Sequence, residues 1–122
     1  MEKEFVPYEL AVKLKELGFD EPCFGYYTEL KDFVMRPHLR QQDCIEGKFL
    51  APTWQSAFRW FREKYQLHST ITSISQESWQ WHIQKPGQQL GKLYDEDFYT
   101  YEEAELACLE KLIEIVEQKN EK

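Results

Sequence analysis

Cysteine and glycine are scarce in this sequence, and each scarcity excludes chemistry. The three cysteines, Cys23, Cys44 and Cys108, are odd in number and include no C-x-x-C pair, so they form neither a disulfide framework nor a zinc ribbon. The five glycines stand singly, which leaves no glycine-rich loop to cradle a phosphate. The three histidines, His38, His68 and His82, lie apart without H-x-x-x-H spacing, so no metal site is expected. No apolar run approaches the roughly 18 residues a membrane span requires, and the opening "MEKEF" has none behind it. These absences lead us to expect a cytoplasmic protein with reduced thiols and no membrane association. Repeats and low-complexity tracts are missing too.

Aromatic residues, by contrast, are plentiful: four Trp, seven Tyr and eight Phe in 122 positions. They supply enough apolar mass for a true core, and the length suits one domain over 1–122. Within it we expect a helix, hairpin and loop region over 1–52 and an α-β-β-(β)-α unit over 53–122. The net charge of -7 is unevenly distributed. Nine acids between Asp95 and Glu117 face Lys111 alone, so that stretch carries -8 and the remainder sums to +1. An acidic face of this kind repels phosphate backbones and favours basic partners.

Leu10, Leu14 and Leu17 recur at helical spacing after Pro7, and "ELGF" reads as a helix end with Gly18 in the left-handed position. "CFGYY" and "FVMR" flank the turn-like "TELKD" as a hairpin that Pro37 ends, and "PHLRQQDCIEGKFLAP" after it is either an exposed loop or one with a brief strand at "KFL". Thr53 caps a second helix on which Trp54, Ala57, Phe58, Phe61 and Tyr65 share one stripe, leaving Trp60 off it. "STITSIS" and "SWQWHIQ" flank the turn candidate Gln76-Glu77, with Trp79, Trp81 and Ile83 on one face; "KPGQ" is a turn by composition and "QLGKLY" a weaker third strand. Thr100 and Glu103 form a capping box ahead of a long last helix from Tyr101 to about Lys119. Its apolar arc, from Tyr101 and Ala104 round to Leu106, is wide enough to need several covering elements or a second chain. The fold class expected is α+β, a small antiparallel sheet packed by about three helices.

Two resemblances bear on function. The order from Thr53 onward resembles that of double-stranded RNA-binding domains, and "TYEEAELACLEKL" has the alanine and leucine spacing of that family's second helix. That family places lysines at this helix start, where this chain has Glu102, Glu103 and Glu105. Broader likeness is found in "EFVPYELAVKLKELGFDEPCFGYY", "LAPTWQSAFRWFREKYQL" and "YTYEEAELACLEKLIEIV". These blocks resemble a family of short uncharacterised proteins from gut Bacteroidetes and their phages. That resemblance implies a bacterial or phage-borne intracellular setting and brings no activity and no site residues.

Catalysis finds no support in motif: no G-x-S-x-G context is present, and the paired carboxylates lie on a solvated helix face. Asp95, Glu96 and Asp97 lack the spaced oxygen ligands of an EF-hand and suit a loop before a helix N-terminus. We therefore expect no enzyme and no cofactor, but a module that binds another protein or itself. The candidate surface comprises Tyr26, Tyr27, Arg36, His38, Arg40 and Trp60, with Glu103, Glu110, Glu114 and Glu117 as an acidic stripe. For each there is a plainer role: the tyrosines as half-buried strand residues, the arginines as solubility charges. Trp79 and Trp81 belong to the covered face of the sheet, or else to a self-association surface across an edge strand. The alternatives are nucleic-acid association through Arg36, Arg40, Arg59, Arg62 and Lys64, or an acidic helix that mimics nucleic acid on a basic protein.

Overall fold

A computed structural model describes residues 4–19, 21–39, 47–85, 88–92 and 98–120. It is an α+β protein with three helices and antiparallel strands, as the residue pattern requires, but the strands form two three-stranded sheets. The chain divides into two compact units, Met1–Trp60 and Phe61–Lys122.

The first unit begins with α1, Tyr8–Glu16. Pro7 stands as the cap residue just before it, and Gly18 ends it at φ 96°. Gly18 N–H bonds the Lys15 carbonyl and Phe19 N–H the Leu14 carbonyl, both at 3.0 Å, which is the double closure expected from "ELGF". Strands β1 (Cys23–Thr28) and β2 (Phe33–Leu39) form the expected hairpin, and β3 (Lys48–Leu50) pairs with the other side of β1. The order β2-β1-β3 leaves β2 at an edge. Pro37 does not end β2, contrary to its reading as a terminator. An edge strand tolerates a residue without an N–H, and the pairing with β1 loses register between Cys23 and Gly25, beside the proline. Gly25 is required by packing: a Cβ there would lie 2.7 Å from the Phe33 ring, which rests over β1. A core of Phe5, Ala11, Tyr27 and Ala51 lies on this side of the sheet, with Tyr8 and Phe33 against it.

Helix α2, Trp54–Tyr65, starts where Thr53 accepts the Ser56 N–H at 3.2 Å. Its burial differs from the expected stripe. Ala57, Trp60 and Phe61 are buried, while Trp54, Phe58 and Tyr65 are half-buried, a rotation of roughly 60° about the axis.

In the second unit β4 (His68–Ser75) and β5 (Ser78–Lys85) pair around the expected Gln76-Glu77 turn, and β6 (Gln88–Lys92) completes the order β4-β5-β6. The turn read from "KPGQ" falls on 86–87, outside the described residues. Helix α3, Tyr101–Asn120, covers the face carrying Trp81 and Ile83, both buried, and Tyr101 stands edge-on to Trp79 at 5.5 Å. Its capping box forms with a shift. Thr100 accepts the Glu103 N–H at 3.1 Å, but the Glu103 carboxylate reaches the Tyr99 N–H at 3.3 Å, one residue before the cap. Ala104, Cys108, Leu109, Leu112, Ile113 and Val116 are all buried, so this chain itself covers most of the apolar arc. Tyr101 and Leu106, counted within that arc from the sequence, are exposed instead.

Candidate functional site

Strand alternation separates the two tyrosines that the sequence places side by side. Tyr27 points toward α1, edge-on to Tyr8 at 5.8 Å, and its hydroxyl donates to the Val6 carbonyl at 2.7 Å. It is a buried anchor of the unit and no part of a surface. Tyr26 points the other way, along with Phe24 and Thr28, and the register sets Val34 directly across from Tyr26 on β2. Lys48 stands across from Thr28 on β3, and its ammonium lies 5.0 Å from the Tyr26 ring centroid. Arg36, exposed and two positions beyond Val34, extends this face along the edge strand.

The result is a sheet face with an aromatic and aliphatic centre and two cations. Phe24 is 52% exposed and Val34 37%. Leu50, which also lies across from Tyr26, is buried, so the open part of the face runs toward β2. Of the eight large hydrophobic side chains exposed among the described residues, Phe24, Leu30, Val34 and Met35 all belong to the β1–β2 hairpin. Exposed apolar area is therefore concentrated there, where patterning alone pointed to α3. Phe24, Val34 and Lys48 were missed from the sequence; the period-two alternation from Tyr26 was the signal that would have found Phe24.

The other candidates separate. Trp60, taken for a surface residue because it lies off the α2 stripe, is only 4% exposed and packs edge-on to Phe19 at 5.4 Å. Its burial depends on a contact distant in sequence, which helical periodicity does not encode. His38 lies in β2, and its side chain is outside the described set; Arg40 and Cys44 are outside the described residues, as are Asp95, Glu96 and Asp97. Glu103, Glu110 and Glu114 are exposed along α3 with Glu102, while Glu117 is half-buried. Glu114 pairs with Lys111 at 3.4 Å. Glu105 leaves the acidic group: it is buried and accepts the Tyr101 hydroxyl proton, and burial, then this carboxylate, push the Tyr101 phenol up. Arg59, Arg62 and Lys64 are exposed on α2, with Lys64 placed over the Tyr65 ring at 5.7 Å.

Among the described residues, the reactive groups stand apart. Burial pushes the Cys108 thiol up to about 12, against a hydrogen bond with Ser69 that lowers it. A thiol held protonated in this way is a packing group and a poor nucleophile. Among the described residues no three His, Cys, Asp or Glu side chains come together as a metal would require, and no helix is long and apolar enough to cross a membrane. No known family model matches the chain, and no curated protein and no solved structure matches it either.

Proposed function

We propose that this chain is a non-enzymatic binding module that engages another protein through the open face of β2-β1-β3. The observation that carries the reading is the sharing of one face by Phe24, Tyr26 and Val34 with Lys48, beside the exposed Arg36 of the edge strand. Fully burying a phenylalanine side chain is worth about 1.5–3 kcal/mol, and a face that keeps one half-open retains part of that for a partner. The cations at its margin select an acidic rim around an apolar centre. The resemblance to short proteins of gut Bacteroidetes and their phages supports a bacterial or phage-borne, cytoplasmic setting.

Single-stranded nucleic acid is the second reading, because rings beside cations on a sheet also stack bases. Against it stand the overall charge of -7, the exposed Glu102 and Glu103, and the Lys48 ammonium already over the Tyr26 ring. Affinity capture from a Bacteroidetes lysate should compare the full chain with a Phe24→Ser/Arg36→Glu variant of unchanged circular dichroism. A captured acidic protein should be retained about tenfold less by the variant, the effect of losing about 1.4 kcal/mol. Equal retention would overturn the proposal. A labelled oligonucleotide, bound at about 50 mM salt and released by about 200 mM, would replace it with the second reading.

A further inference from the structure

The free edge of the second sheet is a palindrome. Strand β4 has β5 on one side and no strand on the other among the described residues, so one row of its backbone groups is left unpaired. Natural edges are usually blunted by lysine, proline, a bulge or a covering segment. Here the run 65–76 is the longest in the chain without Asp, Glu, Lys or Arg, 12 residues, and it contains no proline. Within the strand itself a bulge at Ile74 blunts the edge, where the register with β5 shifts between Ser73 and Ser75. Ahead of that bulge the strand pairs regularly with β5, from His68 to Ser73. Within this regular part the sequence reads Ser69-Thr70-Ile71-Thr72-Ser73, the same in both directions.

We propose that two copies of the chain associate by antiparallel pairing of β4 with its counterpart, about a twofold axis through Ile71. In that register Ile71 stands across from the Ile71 of the second copy. Thr70 stands across from Thr72 and Ser69 from Ser73, each twice. Threonine and serine pairs across antiparallel strands are favourable, and β-branched residues suit a strand. Charge decides for a second copy over another occupant. A twofold contact sets the groups on its axis against their own copies, and the run 65–76 brings no carboxylate, lysine or arginine to that axis, so two chains of net charge -7 meet here without like charges opposed. Thr70 and Thr72 are exposed and lie on the side of the sheet away from α3, across from His82 and Gln80. The product is a continuous six-stranded sheet, β6-β5-β4-β4-β5-β6, with both α3 helices on one side. Five paired residues supply about four to six backbone hydrogen bonds, so the association is reversible and dependent on concentration.

Sedimentation of the full chain from about 10 µM to about 1 mM tests this directly. The wild type should shift from monomer to dimer over that range. T70K/T72K sets lysine against lysine at both exchanged positions and should weaken the dimer at least about tenfold. T70K/T72E sets lysine against glutamate at the same positions and should retain the dimer at wild-type strength or better. Both variants alter exposed positions only, and the second shows that charge placement, not loss of fold, is responsible. A wild type that stays monomeric throughout would overturn the inference, as would T70K/T72K dimerising like wild type. Loss of the dimer in both variants alike would also overturn it. Dimers abolished by F24S/R36E but kept in T70K/T72K would move self-association to the first sheet, and the β4 pairing would be abandoned.

Discussion

Tyr26 and Tyr27 show how far one position along a strand separates two identical side chains. The Tyr27 hydroxyl is buried and satisfies the Val6 carbonyl at 2.7 Å, whereas the Tyr26 ring is half-open beneath the Lys48 ammonium. Removing one hydroxyl from each therefore gives unequal results. Tyr27→Phe leaves a buried carbonyl without its donor and should cost about 1–2 kcal/mol. Tyr26→Phe keeps the ring that Lys48 covers and should stay within about 0.5 kcal/mol of wild type. Urea midpoints at unchanged slope would measure both. If the two variants fell by the same amount, the assignment of the two faces would be wrong.

Helix ends allow a matching test at the level of the element. Both α1 and α2 finish on a left-handed residue: Gly18 at φ 96° and Gln66 at φ 60°. A residue with a Cβ costs about 1–2 kcal/mol more than glycine there, offset in part by the smaller unfolded-state freedom it gives up. Gly18→Ala should destabilise by about 1 kcal/mol and Gln66→Gly should stabilise by about 0.5 kcal/mol, read from the same urea titrations. Two shifts of the same sign would contradict the backbone geometry. The pair also marks what was legible beforehand. "ELGF" announced its own ending because glycine has few other reasons to stand there, while Gln66 carries no such mark. The capping threonines, the hairpins and the buried row of β5 were equally readable, because each depends on neighbours within a few positions. What escaped depended on distance along the chain. Trp60 is buried by Phe19, some forty residues earlier, and β3 joins β1 rather than extending the hairpin in order. The choice between Tyr26 and Tyr27 was hidden for the same reason, since α1 decides which side of β1 is covered. Part of the candidate face was thus named in advance, as Tyr26 and Arg36, and its apolar centre was not.

Across the whole molecule, alkaline pH links one buried side chain to global stability. Cys108 lies in α3 with no exposed surface, and burial holds its thiol up to about 12, from an ordinary 9.0. The unfolded chain gives up that proton near pH 9, whereas the folded chain keeps it until about pH 12. Between these limits the folded state binds more protons, so stability is fully present below pH 9 and declines as pH rises through the window. One proton is worth about 1.4 kcal/mol per pH unit. Other groups titrate here too, and the carboxylates already give the chain its charge of -7, so the wild-type curve alone cannot isolate the thiol. Cys108→Ala isolates it, because the other titrations are common to both proteins apart from the small contribution of Cys108 to raising the Tyr101 phenol. The variant should be less stable than wild type at pH 8, by the packing lost with the sulfur. That deficit should shrink by about 2 kcal/mol by pH 10.5, as the wild type loses stability that the variant never had. Urea midpoints at the two pH values, taken side by side, provide the measurement. Parallel loss in both proteins would mean that the thiol ionises as freely as in water, and that the inner face of α3 is wet.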